Sequence, residues 1–298
     1  MLHLGVAIDQ PERWNAAPYV ELAQLAERGG VDFVTLDDSV ARPGPDALAV
    51  LARVAPGTRR IGLVPTVTSA SASASASTEP FRVQAAVATL DWVSRGRAGW
   101  RSDVFPDEGE GGAEIRDVGG GRLLGGAGPQ GRPVRVVDAT EATARPVAAR
   151  CADVALIRTA QLGRAAAVRR QLRDLAGRFG RDPDGLRVLV SLLVDLGGGE
   201  CAAAPGHGGG GPRPTVRGPL YRGGPVDLAE LIAAWHAQEA ADGFHLIPVE
   251  PHRDLERLVN GTVALLQHRG LFRTFYPGGT LREHLGLTRP ANRYQTLA

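Results

Sequence analysis

The feature that most restricts how this 298-residue chain can fold is a repeated pairing of a short apolar run with an amphipathic helix. Residues 4–8, 31–36, 60–64 and 97–100 read as buried strands in the first third. Residues 133–137, 154–157, 186–194 and 244–247 repeat the pattern after a long interruption. Helical signals lie between them. Pro18 opens a helix that Gly29 and Gly30 stop, Asp46 starts another, and Thr78 caps a third whose Glu79 favours the positive N-terminus. Residues 141–150, 162–179, 226–239 and 254–269 supply the later helices, with Asp254 as the cap of the last and Gly270 as its stop. Leu255, Leu258, Val259 and Leu266 form the apolar stripe of that last helix.

Strands that alternate with helices must lie parallel, because the chain crosses back over the sheet between them. Eight strands, seven of them followed by a helix, favour a closed (β/α)8 TIM barrel over an open sheet. The expected organisation is one barrel domain over 1–298, with strands one to four in 1–102. A loop at 103–131 too glycine-rich for a stable helix stands where the helix after strand four belongs. Strands five to eight occupy 132–270 and a tail covers 271–298. A second Gly/Pro-rich loop is expected over 196–219.

Composition excludes several functions. The chain contains no lysine, so neither a lysine Schiff base nor a phosphate-loop lysine is available. The net charge of +2 lacks the basic surplus that a nucleic-acid or anionic-membrane surface requires. No apolar run reaches the roughly 18 residues of a membrane span, and the N-terminus lacks signal-peptide features. Cys151 and Cys201 are isolated and read as reduced thiols, which points to a cytoplasmic protein.

Ligand sites in such barrels sit just beyond the C-terminal strand ends. Asp37 and Asp38 follow strand two and suit either the polar edge of a cofactor or the capping of the next loop. Trp100 ends strand four and suits either a flat ring or the core. The Gly126–Gly131 stretch fits GxGxxG, but a strand follows it instead of a helix, so it reads as a chance match to the motif. His207 precedes four glycines like an oxyanion loop, yet the chain has no GxSxG. The Ser/Ala alternation over 69–77 reads as a loop after strand three. His245, Glu250 and His252 straddle a strand end and two prolines, which is no metal-ligand geometry, so no metal is expected.

Longer stretches resemble one family. Val31-Asp32-Phe33 through Asp38-Ser39, Ile61-Gly62-Leu63, Thr78-Glu79-Pro80-Phe81-Arg82, Leu90-Asp91 with Ser94, and Gly96-Arg97-Ala98-Gly99-Trp100 are similar to the bacterial luciferase-like flavin-dependent monooxygenases. The nitrilotriacetate and dibenzothiophene-sulfone branch is the nearest match. Asp242-Gly243-Phe244, Arg269-Gly270-Leu271-Phe272-Arg273, Thr280 to Leu287 and Arg289 to Arg293 resemble its C-terminal half. The resemblance implies a (β/α)8 barrel that takes reduced FMN from a separate flavin reductase and uses O2 to oxidise a small organic substrate. It further implies a homodimer, and arginine without lysine beside abundant Ala and Gly suggests a GC-rich bacterial genome. By motif position, Asp38 would contact the isoalloxazine or ribityl region, Thr66 the flavin face, Trp100 and Arg101 would bracket the ring, and Thr140 would hold the phosphate. His245 would face the substrate and exchange protons, since a histidine titrates near neutral pH.

Three departures from the family pattern stand out. The segment after strand four is short, Arg101 replaces an asparagine, and Ala139-Thr140-Glu141 replaces a Gly-Ser-Ser turn at the phosphate. Two like charges about 4 Å apart repel by roughly 1 to 4 kcal/mol in a high-dielectric site, so Glu141 is expected to weaken FMN binding by about one to three orders of magnitude. The alternative reading is a non-catalytic relative that has lost flavin binding and serves as a ligand- or partner-binding barrel.

Overall fold

The structure is a computed structural model and describes residues 1–10, 15–37, 44–67, 79–102, 128–197 and 211–290. Eight parallel strands close on themselves. In chain order they are β1 His3–Ala7, β2 Phe33–Leu36, β3 Gly62–Val67, β4 Gly99–Ser102, β5 Val134–Asp138, β6 Val154–Ile157, β7 Arg187–Asp195 and, after a hairpin, β10 Gly243–Pro248. Each pairs with the next, and β10 pairs with both β7 and β1, which shuts the ring. Every expected strand is present, with boundaries shifted by at most a few residues. The helix missing after strand four, and the loop expected there, fall largely outside the described residues.

Helices α1 Ala17–Arg28, α2 Ala47–Val54, α3 Glu79–Val93, α4 Arg145–Cys151, α5 Leu162–Arg178 and α6 Pro225–Ala237 pack around the ring. The last, α7, begins as Pro251–Arg257, widens through a π-helical stretch Leu258–Val263 and finishes as Ala264–His268. Asp46 caps α2 by accepting the Ala49 N–H at 2.7 Å, as its side chain type predicts. Asp254 is not the cap of α7. It lies buried inside the first turn, where its carboxylate accepts the N–H groups of Glu250 and Leu196. Leu255, Leu258, Val259 and Leu266 are buried as expected.

The period of two along each strand separates two cores. Leu4, Val6, Val34, Leu63, Ala98, Val137, Ala155, Val190 and Leu246 face the helices. Phe33, Val64, Val134, Val136, Val154, Leu156 and Leu189 fill the lumen. Leu281, Leu285 and Leu287 join this inner set from a short helix, α8 Leu281–His284, which seals the N-terminal end of the barrel. Gly62 makes room for that seal, since a Cβ there would stand 2.5 Å from Leu281 Cδ1. The tail is therefore a plug set into the barrel base.

Acidic residues tie the base together. Asp32, Asp153 and Asp242 each precede a strand, β2, β6 and β10, and each accepts a backbone N–H from the neighbouring strand, at Leu4, Arg135 and Val188. Each also meets an arginine: Arg273 at 2.7 Å, Arg282 at 2.8 Å and Arg169 at 2.8 Å. Burial opposes the Asp32 charge, but His3 and Arg273 hold its carboxyl below the usual range.

The expected 196–219 loop needs correction. Residues 213–222 form an antiparallel hairpin, β8 Arg213–Thr215 and β9 Gly218–Arg222. Strand β9 extends the sheet beyond β7 through the Leu193–Leu220 and Asp195–Arg222 registers. The β-pattern is masked in the sequence by Pro214 and Pro219, which sit on a short edge ribbon where a missing N–H is tolerated. Gly218, at φ +123°, makes the turn. No helix among the described residues is long and apolar enough to cross a membrane.

Candidate functional site

The residues that alternate with the outer core point up the lumen toward the C-terminal rim. On β2, β7 and β10 these are Thr35, Ser191 and His245. The His245 ring is 2% exposed, with Nε2 2.8 Å from Thr35 Oγ1 and Nδ1 3.2 Å from Ser191 Oγ. Phe33 stacks beneath it at 6.3 Å. His245 thus belongs to the lumen, while Glu250 and His252 are exposed on the helix beyond. Among the described residues no cluster of His, Cys, Asp or Glu side chains has the makings of a metal site.

On β3 and β4, Thr66 and Arg101 are register partners with inward parity. Thr66 lies within β3, 1% exposed, and its hydroxyl has no hydrogen-bond partner. Buried polar atoms are seldom left so. Trp100 has the opposite parity. It follows Gly99, whose Cα faces Val64 and Leu281 in the lumen, and so lies on the outer side of β4. The structure brings Thr66 and Arg101 together and separates Trp100 from them. Asp38 lies outside the described residues.

Arg101 reaches across to β5, where its Nη2 is 3.3 Å from Asp138 Oδ2. Arg158, just past β6, meets the same oxygen at 2.7 Å. The other oxygen accepts the Thr140 N–H at 3.0 Å, and the Thr140 hydroxyl accepts the Arg158 N–H at 3.1 Å. Burial would raise the Asp138 carboxyl, but Arg158, Thr140 and Arg101 together hold it below its ordinary value. Thr140 thus stands beside two cations, and its backbone donor is already taken. Asp138 and Arg158 were not singled out in the sequence. The signal available was position, since each ends a strand at the rim. Glu141 is exposed and makes no capping hydrogen bond. A solvated carboxylate repels an anion far less than the close-contact figure expected from sequence.

The β8–β9 hairpin borders this mouth, with Gly218 3.9 Å from the Arg158 side chain when a Cβ is built on it. Asp195, ending β7, pairs with Arg222 of the hairpin and with Arg253, both at 2.9 Å. A cavity of about 510 Å³ lies at the opposite end, lined by His3, Arg169, Arg173, Asp184, His236 and Asp242. There the charges largely neutralise one another through the Arg169–Asp242 and Arg173–Asp184 pairs. Barrel chemistry belongs at the other end. Residues 128–131, the end of the GxGxxG stretch, form a turn at this base too, with Gln130 bound to Asp91 and the Ala98 carbonyl.

A barrel plugged at its base with a polar lumen mouth is shared by many enzymes. The comparisons decide among them. Residues 3–101 match the model of the luciferase-like monooxygenases. Over that stretch the chain is similar to this family. Among curated relatives it is similar to N-acetyl-S-(2-succino)cysteine monooxygenase of Bacillus subtilis (strain 168), at 26% identity over 405 residues, covering 94% of this chain and 92% of the relative. It is similar to nitrilotriacetate monooxygenase component A of Aminobacter aminovorans at 26% over 416 residues, covering 92% and 90%. Both alignments are longer than the chain, so these relatives carry segments that it lacks. Among solved structures, EDTA monooxygenase from Chelativorans sp. BNC1 superposes with a TM-score of 0.78 at 17% identity, covering 97% of this chain and 99% of that one. That likeness shows a shared fold over nearly the whole chain.

Proposed function

We propose that this chain is a flavin-dependent monooxygenase that takes reduced FMN from a separate reductase and oxidises a small organic substrate with O2. The observation that carries this reading is the gathering of Thr66, Arg101 and Thr140 at the open end of a lumen whose other end is sealed. The family match and the relatives named as monooxygenases support it. A flavin fits these residues. The unpartnered Thr66 hydroxyl faces the space where a ring would lie, and Arg101 supplies positive charge beside it for an anionic reduced ring. When bound, the reduced flavin supplies the electrons that activate O2.

The chain's own groups bind, orient and exchange protons. Thr66 donates a hydrogen bond to the ring edge. Thr140 and the neighbouring cations hold the polar tail. Asp38 is assigned to the ribityl side from its motif position alone. Trp100 shields the rim from the outer side of β4 and is not assigned to ring stacking. His245, held between Thr35 and Ser191, is placed to pass a proton to or from substrate in the lumen. The test is anaerobic titration with reduced FMN, followed by O2 consumption with a flavin reductase and NADH. Micromolar binding and substrate-stimulated O2 uptake are expected. No binding of oxidised or reduced FMN at about 1 mM overturns the reading, because that corresponds to only about 4 kcal/mol.

A further inference from the structure

The cavity at the barrel base is short of acceptors. Its wall brings Arg169 and Arg173 of α5 and Arg187 of β7 together with one buried acid, Asp242. Asp242 is already used. Arg169 takes its Oδ1 through Nε and Nη2 at 3.1 and 2.8 Å, and its Oδ2 accepts the Val188 N–H. Arg173 turns to Asp184 at 3.0 Å, whose side chain is 78% exposed at the cavity rim. Glu239, the remaining acid, is 83% exposed and 3.9 Å from Arg169, so solvent screens it. Arg187 meets no carboxylate among the described residues. Its Nε, Nη1 and Nη2 donate to the carbonyls of Leu285, Asp184 and Gly286. Those dipoles solvate the guanidinium and leave its charge unbalanced. Arg173 Nε, which can only donate, is buried without a partner.

A guanidinium without a counter-charge and a donor without an acceptor are both met by a single carboxylate. The tip of Arg173 is anchored mainly by the exposed Asp184, and a small turn of the side chain presents Nε to the cavity. A dianion would set its second charge against Asp242 and Asp184. Burial holds the His236 imidazole below its ordinary value, so that wall adds no positive charge to receive one. Ala237, Ala241 and Leu285 bound the rest of the space and suit an organic body.

We propose that the base cavity is a binding site for a small organic acid with one carboxylate, held by Arg187 and Arg173. Its volume of about 510 Å³ is within the range of small-molecule pockets. The ligand lies against Leu285 and Gly286, so its binding steadies the plug. The site is separate from the rim and stands whether or not the chain binds a flavin.

Calorimetric titration of the full chain with benzoate, with neutral benzamide and with dianionic inorganic phosphate, at low ionic strength, tests the site. Benzoate should bind about tenfold or more tightly than either of the others. Arg187→Met should weaken benzoate binding about tenfold or more, as expected for loss of a charge-assisted contact. Asp184→Asn, at an exposed position, should tighten it about threefold by removing the competing charge on Arg173. Arg187 also holds carbonyls of the plug, so Ala237→Phe supplies a second test from the exposed end of α6, where the larger side chain fills the entrance and should abolish binding. Melting curves verify that each variant is folded.

No binding of benzoate at about 10 mM overturns the proposal. Equal affinity for benzoate and benzamide, or tighter binding of phosphate, overturns the single-carboxylate chemistry. Benzoate affinity left unchanged by Ala237→Phe, or lost in the presence of saturating FMN, moves the ligand to another part of the molecule and overturns the site.

Discussion

The two ends of the barrel use the same strands and the same residue types to opposite effect. At the base, Asp32 is wholly buried and saturated by the Leu4 N–H, His3 and Arg273. Asp153 and Asp242 are treated alike. At the rim, the Thr66 hydroxyl lacks a partner, and Arg101 and Arg158 each place Nη2 on one oxygen of the partly exposed Asp138 carboxylate. Buried charge pairs hold a plug in place, while those of the rim stand partly open to solvent. The difference lies in burial: the paired acids of the base are almost wholly covered, whereas Asp138 and Arg158 at the rim reach solvent.

This comparison can be broken first at the base. Replacing Arg273 by Ala leaves the buried Asp32 charge with only His3 and the Leu4 N–H as hydrogen-bond partners among the described residues. The expected loss is about 3–5 kcal/mol in urea unfolding. FMN affinity of the fraction still folded should be unchanged, and a comparable loss of binding would mean that the two ends are coupled.

The next largest effect concerns pH and opposes two buried groups of the base. Burial pushes the His284 imidazole down to about 4, although its ring bonds the Gly278 carbonyl. Between about 4 and 6.5 the unfolded chain binds the extra proton. This group's stability is therefore whole above pH 6.5 and is lost toward pH 4, by about 3 kcal/mol. Burial raises Asp91 to about 6 in spite of hydrogen bonds from Gln130 and Ala98. Here the folded chain binds the extra proton, so its contribution is present below pH 3.8 and is lost as pH rises through 6. The two slopes offset each other in the parent protein. Asp91→Asn should unmask the histidine slope, raising stability by about 1–3 kcal/mol at pH 7 and by little near pH 4. A melting temperature that stays parallel to the parent's across that range would remove Asp91 from the account.

A smaller effect is expected at the rim. His245→Ala should cost stability about 2 kcal/mol, as the hydrogen bonds to Thr35 and Ser191 are lost. It should lower kcat by about 100-fold, with loss of one limb of the pH profile, if the imidazole exchanges protons. The reverse pattern, an unfolded protein with normal turnover per folded molecule, would make His245 part of the core. The smallest effect is Glu141→Ser. An exposed carboxylate screened by solvent should alter FMN affinity less than about threefold. A gain of tenfold or more would restore the close repulsion expected from sequence.

Much of this was legible beforehand. All eight barrel strands stood out, because a strand buried on both faces carries a continuous apolar run. The helix stop at Gly270 follows from its positive φ, which no other residue adopts as easily. The hairpin at 213–222 was hidden, since its pairing partner is the end of β7, far away in sequence. His245, Thr66, Arg101 and Thr140 could be named from the motifs, but the side to which Trp100 turns could not. That depends on register, and one residue of shift inverts a strand's faces.

Local sequence by itself determined the order of strands and helices and the parallel sheet, because apolar period and turn residues act over a few neighbours. Only the tertiary structure decided which acids and arginines meet. Asp32 and Arg273 lie 241 positions apart, and Asp138 collects Arg101 and Arg158 from two other strands. Closing the ring sets those distances, and a charge's energy depends on distance and burial, which no local pattern encodes.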